Sequence, residues 1–443
     1  MRYIPITCAQ REHMLATVGV TGIGELFADV PAQAVLQGLL DLPEPLSEVD
    51  LVRHVRGLAN QNVPATELVS FAGAGMYDHH IPSVVDHILR RPEFFTAYTP
   101  YQPEVSQGTL QGIYEYQSMV CELTGMDVAN ASMYDGATAF VEAALMACRI
   151  TRRSRVVVSG TVHPEWIETL ETYAASGLLE VVGDECTGGL SDASSLASLV
   201  DDRTAAVLVA SPNFVGNIED LAAIGAVARA AGALFVVASN PIMLGVLEPP
   251  STFGADIVVG EGQPLGSPMS LGGPGLGLFA CRESHVRQMP GRLVGRTVDI
   301  DGNHAFVLTL STREQHIRRE KATSNICSNH ALNALAAGAY LCAVGAEGLV
   351  GIARSCVAKA HYLRDALLST GRFSAPWGTP FGYEFALAYE GDASEMHDEM
   401  LARGYLAGVV VEAPEGGDLV VFAVTEKRTR GEIDAFVKEV ASL

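Results

Sequence analysis

Between residues 155 and 280 the chain repeats one pattern: a short run of β-branched and aliphatic residues, a break, then a helix-forming stretch. The runs are Arg155-Val-Val-Val-Ser159, Leu179-Glu-Val-Val182, Ala206-Val-Leu-Val-Ala210, Leu234-Phe-Val-Val237, Asp256-Ile-Val-Val259 and Gly277-Leu-Phe-Ala280. They are nearly continuous apolar segments, without the in-out alternation of a half-solvated strand. A strand that is apolar on both faces must be covered on both, and helices between successive strands supply that cover. The pattern therefore predicts an α/β fold built on a mainly parallel sheet. Residues 217–232 are expected as a crossover helix closed by Gly232.

The flanks differ. Residues 1–90 read as a helical segment punctuated by Leu42-Pro-Glu-Pro45. A helix is expected over 106–125 from the spacing of Leu110, Ile113, Tyr114, Met119, Val120 and Leu123, with Gly125 as its cap. Beyond residue 312 the pattern predicts helices over 330–350 and 352–368, a strand at 419–424 and a last helix over 430–440. The expected organisation is an N-terminal helical segment (1–90), a large α/β domain (91–312) and a smaller C-terminal α+β domain (313–443).

Composition narrows the function. A formal charge of -22 repels phosphate backbones and anionic lipid, so neither nucleic acid nor a membrane is an expected partner. The charged fraction is only 18% and the mean hydropathy is +0.22, as expected of a subunit that buries surface against a partner. Eight cysteines include no CxxC pair and no zinc-like spacing, so reduced thiols are expected. Met1-Arg-Tyr-Ile-Pro-Ile6 has no apolar leader core, and the apolar stretch 334–345 is too short to span a bilayer. A cytoplasmic protein is expected. No GxGxxG follows a strand and no GxxxxGK[ST] occurs, so nucleotide binding has no support.

Several residues could carry chemistry. Tyr98, Tyr101, Gln102 and Glu104 lie in a loop stiffened by Pro100 and Pro103, where polar groups either reach a site or pack at an interface. Arg313, His316, Arg318, Arg319 and Lys321 form a basic cluster beside Glu314 and Glu320, either a solvated helix or an interface and carboxylate-binding patch. Asp78, His79, His80, Asp86 and His87 lack a metal-ligand spacing, and no metal site is expected. The glycine runs at 272–275 and 22–24 read as tight turns before phosphate cradles.

Four long strings carry a family resemblance. Phe95-Thr-Ala-Tyr-Thr-Pro-Tyr-Gln-Pro-Glu104 with Val-Ser-Gln-Gly108, Leu123-Thr-Gly-Met-Asp-Val-Ala-Asn-Ala-Ser132, Gly260-Glu-Gly-Gln-Pro-Leu-Gly266 and Arg313-Glu-Gln-His-Ile-Arg-Arg-Glu-Lys-Ala-Thr-Ser-Asn-Ile-Cys327 closely resemble the glycine decarboxylase P-proteins of the glycine cleavage system. The resemblance is to the alpha, or N-terminal-half, form. It implies a fold-type-I pyridoxal-phosphate (PLP) transferase-like architecture and a beta partner that carries the PLP lysine. It also implies glycine as substrate of the pair, a lipoylated H-protein as acceptor of the aminomethyl group, and an assembly of two alpha and two beta subunits.

The residues support a subunit without its own cofactor. PLP needs a lysine for its Schiff base and a carboxylate at its pyridinium nitrogen. The chain has four lysines, Lys321, Lys359, Lys427 and Lys438, none of them in the large domain. Asn240 stands where the fold normally supplies the carboxylate, and His163 stands where PLP enzymes place a ring-stacking aromatic. No catalytic and no cofactor-binding residue is expected on this chain. Tyr98, Tyr101, Gln102, Glu104, Arg313, His316 and Arg318 are the candidates for a site shared with the partner. The rival reading is a non-catalytic homodimer whose lysine-free pocket senses a small molecule.

Overall fold

The computed structural model describes residues 6–36, 38, 40–184, 188–412 and 417–443. They fall into two compact units, Met1–Val63 and Pro64–Leu443. In the first, helix α1 (Cys8–Val18) starts at a capping box between Thr7 and Gln10 and stops at Gly19, whose φ of 86° admits the left-handed turn. Helix α2 (Glu48–Ala59) starts at Ser47, which accepts the Asp50 amide. Neither helix has a single buried residue.

The second unit is organised by a seven-stranded sheet. Its strands are β1 (Val128–Ala129), β2 (Arg155–Val158), β3 (Glu180–Gly183), β4 (Thr204–Ala210), β5 (Leu234–Ala238), β6 (Ile257–Glu261) and β7 (Gly277–Cys281). The spatial order is β1-β7-β6-β5-β4-β2-β3. All neighbours are parallel except β7, which runs antiparallel to both β1 and β6. Each apolar run of the sequence is a strand, and the reason shows in the packing. Val157, Val207, Val209 and Val237 enter one core, while Val156, Val158, Leu208 and Val236 enter the core on the other side. Successive residues point to opposite faces, so a sheet covered twice needs apolar residues at both parities. Each fully buried valine contributes on the order of 1.5–3 kcal/mol. A one-residue slip would exchange every side chain between the two cores.

Helices α3 (Gln107–Thr124), α4 (Gly136–Thr151), α5 (Pro164–Ala174) and α6 (Leu221–Ala230) flank these strands in sequence. Helix α3 matches its expected span, and Gly125 caps it at φ 68°. Helix α6 starts later than its composition suggests. Asp220 accepts the Ala223 amide and fixes the N-terminus there. The preceding residues are drawn away by backbone pairing: Asn217 bridges Phe381, and the Ile218 amide donates to Pro380 O at 2.9 Å.

An antiparallel hairpin, β8 (Leu293–Val298) and β9 (His304–Thr309), follows the sheet. The two helices expected after residue 330 are one element, α7 (Ala331–Ser369), broken at Gly345 where φ is 63° and ψ 179°. A smaller antiparallel sheet has the order β10-β11-β13-β12 and consists of β10 (Phe373–Ser374), β11 (Glu384–Tyr389), β12 (Val409–Glu412) and β13 (Asp418–Ala423). Helix α8 (Arg430–Ala441) completes the unit and buries Ile433, Phe436 and Val440. Helix α7 is long and apolar enough to cross a membrane by length and composition. Here Ala337, Tyr340, Ala353, Cys356 and Leu363 pack it into the protein's own core.

Candidate functional site

In a sheet of this kind, loops leaving the carboxyl ends of parallel strands converge on one side, and ligands bind there. The structure has a cavity of about 80 Å³ at that place. Strand β4 leads into Ala210, Pro212, Asn213 and Phe214; β5 supplies Ala238, Ser239 and Asn240; β6 supplies Glu261. His163 and Trp166 come from the start of α5, Gly75 and Tyr77 from an earlier loop, and Tyr383 and Glu384 from the smaller sheet.

Its polar groups are largely spoken for. Glu384 accepts the Tyr77 hydroxyl at 2.9 Å and the Ala74 amide at 2.5 Å. Burial pushes its carboxyl up to about 7. The His163 ring accepts the Glu165 amide at Nδ1, 3.2 Å, so Nε2 carries the proton and donates to Ala74 O at 3.1 Å. Burial lowers its pKa, which favours the neutral ring. The ring also stacks 6.3 Å from Trp166 and meets Phe214 edge-on at 4.6 Å.

The N-terminus of α4 abuts this cavity, and a helix N-terminus is a ready seat for an anion. Here the chain's own acids fill it. Asp135 accepts the Thr138 amide at 2.8 Å. Glu261 accepts the Gly136 amide at 2.9 Å on Oε2, and the Gln263 and Leu276 amides at 2.9 and 2.8 Å on Oε1. The glycines around it are needed. A Cβ on Gly136 would lie 2.3 Å from Trp166, and one on Gly275 would lie 2.9 Å from Glu261 Oε2.

The sequence-based candidates lie on other loops. Two of them, Tyr101 and His316, come together around a residue that the sequence did not single out. Arg292, 4% exposed, donates to the Tyr101 hydroxyl at 3.0 Å, to Thr99 Oγ1 at 2.9 Å and to Cys327 O at 2.8 Å. Its Nε lies 3.4 Å from Glu314, which in turn lies 3.6 Å from His316. The His316 ring meets Tyr101 at 5.6 Å. Arg313 is spent on backbone carbonyls of Met289, Gly291 and Leu310. Tyr98 is 81% exposed, Gln102 and Glu104 are exposed, and Arg318 reaches only Thr312 O at 3.2 Å. The segment 315–318 is a single helical turn that breaks at Arg319, φ 53°.

Of the histidines, His79 pairs with Glu426 at 2.7 Å, which holds that carboxyl down at about 2. Asp78 pairs with Lys427 at 2.6 Å. His79, Cys356 and Glu426 each place one possible ligand atom within 4.8 Å of the others. The ion pair and a thiol-to-carboxylate contact at 3.4 Å already account for that grouping.

Residues 1–440 match the family described as glycine cleavage system P-protein. The chain belongs to that family. It is 50% identical over 441 residues to a probable glycine dehydrogenase (decarboxylating) subunit 1 of Geobacillus kaustophilus, covering 99% of this chain and 98% of the relative. A crystal structure of glycine decarboxylase (P-protein) of the glycine cleavage system, in inhibitor-bound form, aligns over 100% of both chains with a TM-score of 0.91 and 43% identity. A Lactobacillus brevis glutamate decarboxylase shares the fold at 14% identity and a TM-score of 0.68, covering 94% of this chain and 96% of that one. The family resemblance read from the four strings holds over the whole chain, and the fold is that of fold-type-I PLP enzymes.

Within this P-protein-family chain the residues of the cavity do not fit PLP. None of the lining residues is a lysine. Asn240, which lines the cavity, offers a neutral amide and not the carboxylate that a pyridinium nitrogen requires. Glu261 already occupies the anion seat at α4. Glu261, Glu384 and Arg292 escaped the sequence reading for different reasons. Glu261 lay inside a family-like string without any spacing that marks it as a cap. Glu384 and Arg292 are isolated charges in the sequence, and Tyr77 and Tyr101, which they contact, lie more than 180 residues away.

Proposed function

We propose that this chain is the alpha subunit of a glycine decarboxylase that acts in the glycine cleavage system, and that the catalytic cofactor is held by a beta partner. In this reading the pair decarboxylates glycine and passes the aminomethyl group to the lipoyl group of an H-protein, in the cytoplasm. PLP on the partner supplies the electron sink. Family membership carries the reading, and a cavity that does not fit PLP supports a cofactor held by the other subunit.

The contribution of this chain lies in its loops. Arg292 holds the Tyr101 phenol and links it through Cys327 O and Glu314 to the 313–328 segment. A phenol fixed in this way at the surface can orient substrate or hold a proton in a site that the partner completes. Tyr98, Gln102, Glu104, His316 and Arg318, all exposed, are the remaining contact candidates. We assign residues 91–312 to the scaffold and residues 313–443 to closure and docking.

The first unit supports an obligate partner. Met14, Val18, Phe27, Leu46, Leu51 and Val55 are each more than two-fifths exposed. Apolar surface of this kind marks an interface. An assembly of two alpha and two beta subunits satisfies it most simply.

The test is reconstitution. This chain and a PLP-bearing beta subunit are expected to co-purify and to release CO2 from glycine only together with lipoylated H-protein. Full activity of the beta subunit without this chain would overturn the reading, and so would a stable homodimer that ignores the beta subunit.

A further inference from the structure

The cavity at the carboxyl ends of the sheet has the wrong polarity for a phosphate ligand and the right polarity for a cation. Neither lysine nor arginine lines it; its ionisable walls are Glu261, Glu384, the phenols of Tyr77 and Tyr383, and the neutral-favouring His163. The anion seat at α4 is filled by the carboxylate of Glu261. Trp166 and Phe214 add aromatic faces. Ser239, 7% exposed, also lines the cavity, and its hydroxyl has no hydrogen-bond partner among the described residues.

We propose that this cavity binds a small organic ammonium ion, an amine in its protonated form that carries no phosphate or carboxylate of its own. The inference goes beyond the assembly role and rests on one part of it, that PLP is not held here.

Three physical arguments converge. A buried carboxylate is costly unless a cation or enough donors compensate it. Glu384 uses two of the roughly four acceptor positions of a carboxylate, which leaves capacity for an ammonium N–H. Aromatic faces attract a desolvated ammonium through the ring quadrupole. The unpartnered Ser239 hydroxyl can serve a bound polar group, and an enclosed site commonly leaves such a group for its ligand. Phosphates and carboxylates meet Glu261 instead, with no cation in the lining to offset the repulsion.

The test uses the complete assembly, titrated calorimetrically with trimethylammonium chloride. This tertiary ammonium cannot condense with an aldehyde, so PLP on the partner does not respond to it. One saturable site per chain is expected, displaced by ethylammonium and untouched by inorganic phosphate. Glu261→Gln, Glu384→Gln and Phe214→Leu are each expected to weaken binding about tenfold or more. Thermal melts of the three variants identify any that misfold, and the correctly folded ones decide. The proposal is overturned if no saturable binding is seen, if folded variants bind as tightly as the parent, or if phosphate competes. A PLP adduct found on this chain would defeat the assembly reading instead, and adduct mapping detects that independently of the titration.

Discussion

Asn240 donates from its side-chain amide to the phenol oxygen of Tyr383 at 2.6 Å, while its Oδ1 accepts the Ile242 amide at 3.0 Å. Both ends of the residue are committed: the amide nitrogen ties the end of β5 to Tyr383, just before β11, and the oxygen caps the local turn at Ile242. A carboxylate at the same position could not donate to Tyr383. Asn240 is here part of the scaffold. Asn240→Asp is therefore expected to destabilise the chain by about 1–3 kcal/mol in denaturant unfolding, through a lost donor and a partly buried charge. It is not expected to confer PLP binding.

Tyr101 and Arg292 give the sharpest kinetic expectation. Tyr101→Phe removes the hydroxyl that Arg292 contacts. Glycine-dependent CO2 release should fall by about 10²–10⁴-fold, with assembly and PLP binding on the partner intact. Glu104→Gln tests the same loop at an exposed carboxylate and should act in the same direction. Arg292→Ala should lower kcat more than it changes KM. The double variant Tyr101→Phe, Arg292→Ala should be little worse than the poorer single, because the two act as a unit. If activity returns at high partner concentration, the loop serves association rather than chemistry.

A buried carboxyl and a half-buried one predict opposite pH dependences of stability. Glu384 is raised to about 7, so its folded state holds a proton that the unfolded chain, near 4.5, releases. Its favourable contribution is full below about pH 4.5 and is lost as pH rises to about 7. Glu426 is lowered to about 2 by His79, so its contribution is present above about 4.5 and is lost as pH falls toward 2. Glu384→Gln should therefore gain stability relative to the parent between pH 5 and pH 8. The gain should be about 3 kcal/mol at most in urea unfolding, from a shift of that size. An unchanged difference between the two pH values would contradict the burial argument.

Gly216 holds the two sheets at close range. Its φ is 86°, and a Cβ there would sit 1.9 Å from the carbonyl oxygen of Glu384. The Gly382 amide donates back to Gly216 O at 3.0 Å. Gly216→Ala should cost about 3 kcal/mol or more, through backbone displacement and a strained conformation. Denaturant midpoints check this. The same change at Gly371, where no atom lies within 4 Å of an added Cβ, should cost only the conformational part, about 1 kcal/mol.

The N-terminal unit carries the interface expectation. Phe27→Glu with Leu51→Glu places charge on two side chains that are 58% and 49% exposed. Thermal stability of the isolated chain should be nearly unchanged, since surface substitutions usually stay within about 0.5 kcal/mol. The dissociation constant for the beta partner should rise by about tenfold or more. Unchanged association would move the interface elsewhere.

The sheet was legible because its signal is local. Five of the six apolar runs are too uniform to face water and could only be covered strands, and the parity split of Val156 and Val157 between two cores bears that out; the sixth, Glu180–Gly183, is a partly exposed edge strand. The hairpin at 293–309 was not legible, since Gly295, Arg296 and Thr297 interrupt the apolar pattern and three residues of β8 are exposed. The start of α6 was misplaced because tertiary pairing of Asn217 and Ile218 with Phe381 and Pro380, ahead of the smaller sheet, outweighs local helix preference. At the site, the absence of lysine and the amide at Asn240 could be read by simple subtraction. Glu261 and Arg292 could not, because a cap or an anchor is defined by groups that only the fold brings together, such as the Gly136 amide and the Tyr101 hydroxyl. The basic cluster at 313–321 looked like one patch, yet Arg313 turns to carbonyls and only His316 meets Tyr101.

The central claim is that the cofactor of the assembly is not on this chain. Borohydride reduction of the glycine-active complex, followed by peptide mass mapping, tests it directly. One reduced pyridoxyl-lysine is expected on the beta subunit and none on Lys321, Lys359, Lys427 or Lys438 of this chain. A stoichiometric pyridoxyl adduct on any of these four lysines, with glycine decarboxylation by this chain, would contradict it.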